Sequence, residues 1–414
     1  MKRPKFKRVK TNLKIAWRNL WRNRRRTLIT VASIFFGVLF SAYMTSMQEG
    51  SYKKMVEIVV KFYSGYLQVH HQDYWANKSL NNSFDYRPEL ADSIGRHREV
   101  KMVFPRLESF ALASSENLTK GAMIFGIDPV REDQWTGISN RIQTGRYLLP
   151  GDRGVVIGQG LAAYLKLGLN DTLVMIGQGF HGVAAAGKFP IRGLVRHASP
   201  ELDKLVVYMD IATCQEFFSM PGKITSLVVN VENNQAMRSL LRKLKGEVAQ
   251  PLAVMSWEEM QPEIVQQIES DRASGMLMKA ILYLVIGFGI LATMMMMIAE
   301  RKKEFGVMVA VGMQKSKLAA ILFFETLFIG ILGIIAGIIV SYPLILFQVS
   351  HPIPLTGQTA SVMEEFGFEP FIFFSSATIV FTQQAITIFL LTLLISVYPA
   401  WAASRLKVIR SLHA

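Results

Sequence analysis

The sequence predicts an α-helical membrane protein with four transmembrane helices and a large α+β extracytoplasmic domain, in two lobes, between the first and second of them. Three observations predict it. Half of the 414 residues are hydrophobic. Residues 27–48, 280–299, 318–347 and 371–400 are each apolar enough to cross a hydrocarbon core, which takes about 20 residues at 1.5 Å of rise. The net charge of +15 collects beside these spans, as the positive-inside rule requires of cytoplasmic segments, so it points to membrane topology and to no nucleic acid.

In chain order, residues 1–26 hold twelve Lys or Arg and no acid, a basic amphipathic N-terminus that faces the cytoplasm. The first span, 27–48, has an apolar run longer than a signal-peptide core and no small-x-small cleavage site before Glu49, so it reads as an uncleaved anchor. Met44, Met47, Met55, Ile58, Val59 and Phe62 keep helical spacing and extend it outward as a stalk. Residues 49–275 form the extracytoplasmic domain. There, β-like runs at 66–70, 154–158, 171–177, 204–210 and 226–231 alternate with helical candidates at 160–168, 211–219 and 234–246. A second helical leg, 257–279, opens near Pro262, whose missing N–H is harmless only in a first turn, and runs into the second span, 280–299.

The mostly basic segment 300–317 is cytoplasmic by its charge, and the third span, 318–347, follows. Residues 348–370 carry Glu364, Glu365 and Glu369 but no Lys or Arg, so they lie outside. The fourth span, 371–400, leads to a cytoplasmic tail, 401–414, with Arg405, Lys407 and Arg410. Ser33, Gly37 and Ser41, like Gly333 and Gly337, recur every four residues. That spacing lets helices approach closely in lipid, either within one subunit or at a dimer seam.

Few residues invite chemistry. GVAAAGKF at 182–189 has the spacing of a phosphate-binding loop, but Phe189 stands where a Ser or Thr must hold Mg²⁺, and the stretch reads as a small-residue loop. His70 and His71 are adjacent and would face opposite sides of a strand. The single cysteine, Cys214, has no internal partner. With neither HExxH nor CxxC, no catalytic residue, metal site or cofactor is expected, and the chain reads as no enzyme by itself. Glu325 lies within the third span, where a carboxylate is costly; it is either an ion relay or a structural group that pairs with a base or caps a helix.

Residues 300–312 stand out. As a helix, they put Glu300, Lys303 and Glu304 on a charged turn and Phe305, Met308 and Val309 on an apolar stripe. Such an element lies along the membrane surface with its charges open to a cytoplasmic partner.

ERKKEFGVMVAVGMQKSKLAAILFFETLFIGILG, starting at Glu300, resembles the signature of the FtsX-like permeases, membrane subunits of ABC transporters of the MacB and lipoprotein-releasing type. The pattern E-R-x-x-E-[IF]-G, A-x-G and a later E is met by Glu300, Arg301, Glu304, Gly306, Ala310, Gly312 and Glu325. LKIAWRNLWRNRRRTLIT at 13–30 is similar to the family's amphipathic lead-in, YPAWAASRLKVIRSL at 398–412 to its closing motif, and 145–176 to its exported domain.

The resemblance implies a multi-pass protein of the bacterial inner membrane with cytoplasmic termini. Its partners would be two copies of a cytoplasmic ABC ATPase, which bind the ATP and Mg²⁺, and a second permease, either another copy or a paralogue. Glu300, Arg301, Glu304, Phe305, Gly306 and Gly312 would form the element that couples the ATPase to the chain by mechanical transmission. Because no ATPase is fused to this chain and 64–75 is similar to lipoprotein-releasing permeases, lipoprotein release is the expected work. Export of a small molecule or peptide, and division-type regulation of a periplasmic hydrolase, are the alternatives.

Overall fold

The structure is a computed structural model that describes residues 5–405 apart from 23, 198 and 366–368. Lys407 and Arg410 of the expected tail lie outside the described residues. The chain divides into a helical unit, Met1–Tyr52, Ile268–Ile353 and Ile372–Ala414, and an α+β unit, Lys53–Gln267 and Pro354–Phe371.

The helical unit is built on α1 (Lys5–Arg22), α2 (Arg24–Val59), α3 (Pro262–Glu300), α4 (Lys302–Ala310), α5 (Lys315–Ser350) and α6 (Thr378–Ser404). Among the described residues, α2, α3, α5 and α6 are the four helices long and apolar enough to cross a membrane. At 36 to 39 residues, α2, α3 and α5 are about 54–58 Å long. Each therefore exceeds a hydrocarbon core of about 30 Å. Ile34 and Val38 of α2, Ile286 and Ile290 of α3, Ile329 and Ile334 of α5, and Ile388 and Ile395 of α6 meet in one buried cluster.

The small residues make that contact close. A Cβ on Gly333 or Gly337 would stand 2.6 Å from Ile34 or Val38, and one on Gly37 would stand 2.4 Å from Ile286. Of the two uses open to this spacing, close packing within one chain is the one observed.

The α+β unit holds a ten-stranded sheet. Its strands are β1 (Leu67–His71), β2 (Val100–Ser114), β3 (Thr119–Ile127), β4 (Ile142–Gly145), β5 (Val155–Gly158), β6 (Thr172–Gln178), β7 (Ala184–Val195), β8 (Val206–Asp210), β9 (Ser226–Val231) and β10 (Leu252–Ser256). The order is β10-β1-β9-β2-β3-β8-β5-β7-β4, with β6 bridging β2 and β7.

The two lobes share β2. Its first half pairs with β9, from Val100↔Val231 to Arg106↔Ser226, and its second half pairs with β6, from Ala111↔Gly177 to Ser114↔Val174. One core packs Leu67, Val69, Leu227 and Val229 against Met237, Leu240 and Leu244 of the helix Asn234–Glu247. The other packs Leu107, Ile124, Ile157, Met175 and Val207 around Cys214 and the helix Gln159–Leu165. A third cluster, on the opposite face of β3, β5 and β8, receives Ile58 and Phe62. The chain reaches it through a π-helical turn, Val60–Ser64, and Gly65.

Two expectations are corrected. The 182–189 stretch is mostly strand, since 184–189 pair with β6; its alanines and glycine lack the side chains that announce a strand. Within 348–370, read as a loop, lies a helix, Gln358–Glu365.

Candidate functional site

Glu300, Arg301 and Glu304 lie where α3 gives way to α4. A single residue, Arg301, separates the two helices, and the backbone stays almost helical through it. The Arg301 N–H donates to the Met297 carbonyl at 3.2 Å, and the Arg301 carbonyl accepts from Phe305 N–H at 2.9 Å. The far end of α4 is terminated sharply. Gly312 takes φ +105°, a conformation that side chains disfavour, and the N–H groups of Gly312 and Met313 donate to the carbonyls of Val309 and Met308 at 3.1 and 3.0 Å. This is a Schellman closure, and its usual apolar contact is present, since Met308 and Met313 pack on the same cluster.

The inward side of α4 is apolar and fixed. Phe305 is buried with Leu318 and Leu322 of α5 and Ala403 of α6, and Met308 and Val309 pack against them. Gly306 is buried beside Phe305. Arg301 also turns inward. Its Nη1 donates to both Glu325 oxygens at 3.1 and 3.4 Å, and its Nε donates to Glu304 Oε2 at 3.3 Å. Its guanidinium lies 5.0 Å from the Phe305 ring centroid. With side-chain exposures of 9% and 3%, Arg301 and Glu325 are a buried pair. Such a pair makes sense only intact, because removing one partner strands a charge in a low-dielectric site.

The N-terminal helix completes the site. Asn19 Nδ2 of α1 donates to Glu325 Oε2 at 3.5 Å, Arg22 pairs with Glu304, and Arg26 at the start of α2 pairs with Glu300. Partial burial works against the Glu304 carboxylate. The Arg301 hydrogen bond and the Arg22 charge outweigh that and hold its pKa below the usual glutamate value.

The expected residues thus divide. Arg301, Glu304, Phe305 and Glu325 are brought together in one network, Glu300 pairs separately with Arg26, and Gly312 stands apart as the helix stop. Lys302, Lys303, Glu304, Val307 and Val311 remain exposed. Val307 and Val311 are 50% and 83% exposed and continue the i, i+4, i+8 line of Lys303. The sequence reading missed Asn19, Arg22 and Arg26. The i, i+3 spacing of Asn19 and Arg22 was the available signal that those two share a face of α1; no such spacing ties Arg26, on α2, to them.

Two family models match the chain. The MacB-like periplasmic core domain covers residues 27–247, more than half of the chain, and the FtsX-like permease C-terminal covers 276–408. The chain belongs to the FtsX-like permeases with a MacB-like periplasmic core domain. It is 23% identical over 343 residues, 79% of its length, to the pyoverdine export ATP-binding/permease protein PvdT of Pseudomonas savastanoi pv. phaseolicola, and spans 50% of that protein. It is 21% identical over 259 residues, 60% of its length, to the lipoprotein-releasing system transmembrane protein LolE of Haemophilus influenzae, covering 62% of it. The periplasmic region of MacB from Actinobacillus actinomycetemcomitans aligns with 52% of this chain and 98% of its own, at TM-score 0.36 and 16% identity. The chain therefore spans about half the length of the pyoverdine-export relatives it matches.

Proposed function

We propose that this integral membrane protein is the permease subunit of an ABC transporter, and that α4 receives the stroke of a cytoplasmic ATPase and passes it to the long helix α3. The observation that carries this is the two-sided construction of α4. One side exposes Lys303, Glu304, Val307 and Val311 as a mixed apolar and charged surface. The other is anchored by Phe305 and the Arg301–Glu325 pair. A helix free to rock in a soft bed would dissipate a push; one keyed to α5 and α6 moves with them.

The charge distribution supports an inner-membrane protein with cytoplasmic termini and with α4 on the cytoplasmic side. ATP and Mg²⁺ would then be bound by two copies of the ATPase, and a second permease would complete the assembly. Lipoprotein release is the cargo class we put first, on the similarity at 64–75 and the LolE relative. Export of a small molecule or peptide is the second reading, favoured by the wider match to the pyoverdine-export relatives.

The test is association of the purified full chain with its ATPase, followed by cargo release from vesicles. Val311→Asp is expected to weaken ATPase binding at least tenfold, the scale of an interfacial anchor, while the chain stays inserted. Unchanged binding would sink the docking role. Mass spectrometry of the co-purified cargo separates the two cargo readings.

A further inference from the structure

We propose that the outer arc of α1 binds the headgroups of anionic phospholipids, and that this occupancy steadies the ion pairs from α1 to α4 and from the start of α2 to the end of α3. The second half rests on the coupling reading above; the first does not.

At 100° per residue, α1 has two distinct sides. Ala16 and Leu20 are buried on the side toward α5. Going round from there come Trp17 and Trp21, then Lys14 and Arg18, then Arg22. Trp17 and Trp21 are 42% and 53% exposed. Two bare indoles one turn apart are out of place in water and at home at a membrane interface, where the ring sits among headgroups.

The Trp17 ring meets Phe328 of α5 edge-on at 5.6 Å. From Phe328 to the end of α5 at Ser350 is about 33 Å at 1.5 Å per residue, close to the roughly 30 Å of hydrocarbon. The indole pair therefore marks the headgroup level, and the first turns of α5, with Glu325, lie at or inside the interfacial layer.

The charges at that level are unequally served. Arg22 and Arg26 are paired with Glu304 and Glu300. Lys14 and Arg18 are exposed, have no ion-pair partner among the described residues, and belong to a 26-residue segment without an acid. A cation pair at i, i+4 with indoles beside it lacks only an anion that arrives with an apolar tail. An anionic phospholipid supplies both parts. A phosphate held by Lys14 and Arg18 would fix the rotation of α1, and so the positions from which Asn19 and Arg22 reach Glu325 and Glu304.

The experiment is native mass spectrometry of the full chain released from nanodiscs containing equal phosphatidylglycerol and phosphatidylcholine. The wild-type chain is expected to retain phosphatidylglycerol selectively. K14Q/R18Q should lower that selectivity about thirtyfold, at about fivefold for each basic residue near an anionic surface, and K14R/R18K should keep it. Equal retention by K14Q/R18Q, or phosphatidylcholine held as well as phosphatidylglycerol, would overturn the site. Displacement by inorganic phosphate would make it a free-anion site and overturn the lipid assignment. For the second half, K14Q/R18Q should remove the dependence of ATPase stimulation on phosphatidylglycerol; a dependence that persists overturns it. Val311→Asp separates the two readings, since it should weaken ATPase docking at least tenfold and leave lipid retention intact.

Discussion

Among the described residues two arginines are buried, and they are buried differently. Arg106, in the α+β unit, is enclosed. Its Nη2 and Nε donate to the two oxygens of Glu132 at 2.6 and 3.3 Å, its Nη1 donates to Glu108 at 3.4 Å and to the Tyr63 carbonyl, and every one of these carboxylates is itself buried. Phe104 and Phe125 close it in, with centroids 5.6 and 5.4 Å away. Burial works against the Arg106 charge, but Glu132 and Glu108 more than offset this and hold its pKa above the arginine norm.

Arg301 begins the same way, with Glu325 beneath it, but its second carboxylate, Glu304, is half exposed and goes on to the exposed Arg22. One network is closed and the other has a free end. A closed network can only lock a geometry. A network that reaches the surface can be pulled from outside, which is what a coupling site requires.

The largest effect should come from breaking the closed set. Arg106→Met leaves Glu132 and Glu108 buried without their cation and should cost the α+β unit about 3–5 kcal/mol. The lone, buried Cys214 is the probe: its labelling by dithiodipyridine should speed up by at least a hundredfold, and an unchanged rate would refute the enclosure. Arg301→Met should destabilise the helical unit by about 3 kcal/mol, and R301M/E325L should recover all but about 1 kcal/mol, since an apolar pair can replace a buried ionic one. If the two networks differ as described, thermal unfolding of the double variant is near wild type while ATPase-driven release is not.

Acid offers a smaller lever, on the α+β unit. His197 is buried, and burial together with the Arg141 charge lowers its pKa to about 3; burial lowers that of His70 as well. The unfolded chain therefore binds protons below about pH 6.5 that the folded unit refuses. Stability is full above that pH and falls toward pH 3, by up to about 1.4 kcal/mol per unit through His197. Cys214 labelling at pH 7 and pH 5 measures the drop, and a flat profile would contradict it. The smallest stability change belongs to the open end. Glu304→Gln removes a half-exposed pair and should alter thermal stability by less than about 1 kcal/mol, yet reduce ATPase-driven release severalfold. A proportionate loss of both would make Glu304 merely structural.

Much of this was legible in the residues. The five β-like runs and three helices anticipated in the α+β unit are present, because short runs of apolar and β-branched residues bounded by turn residues there coincide with mostly buried strands. The longest strand, β2, was not anticipated. Pro105 lies within it, and a proline within a run argues against a central strand. Arg106 and Glu108 then put charges at positions that face inward. Those residues are tolerated because Glu132, far along the chain, arrives to pair with them. The same holds at the candidate site: Glu300, Arg301, Glu304 and Glu325 could be picked out, but nothing local says that Arg22 belongs to Glu304 or Arg26 to Glu300.

By itself the sequence determined the four apolar spans, the α+β insertion between the first two and the charged element at 300–312, because hydropathy, period and charge sign act over a few neighbouring residues. Only the tertiary structure decided which charges are spent and which are free. Pairing energies depend on distance and burial, and those exist only once α1, α4 and α5 are packed together.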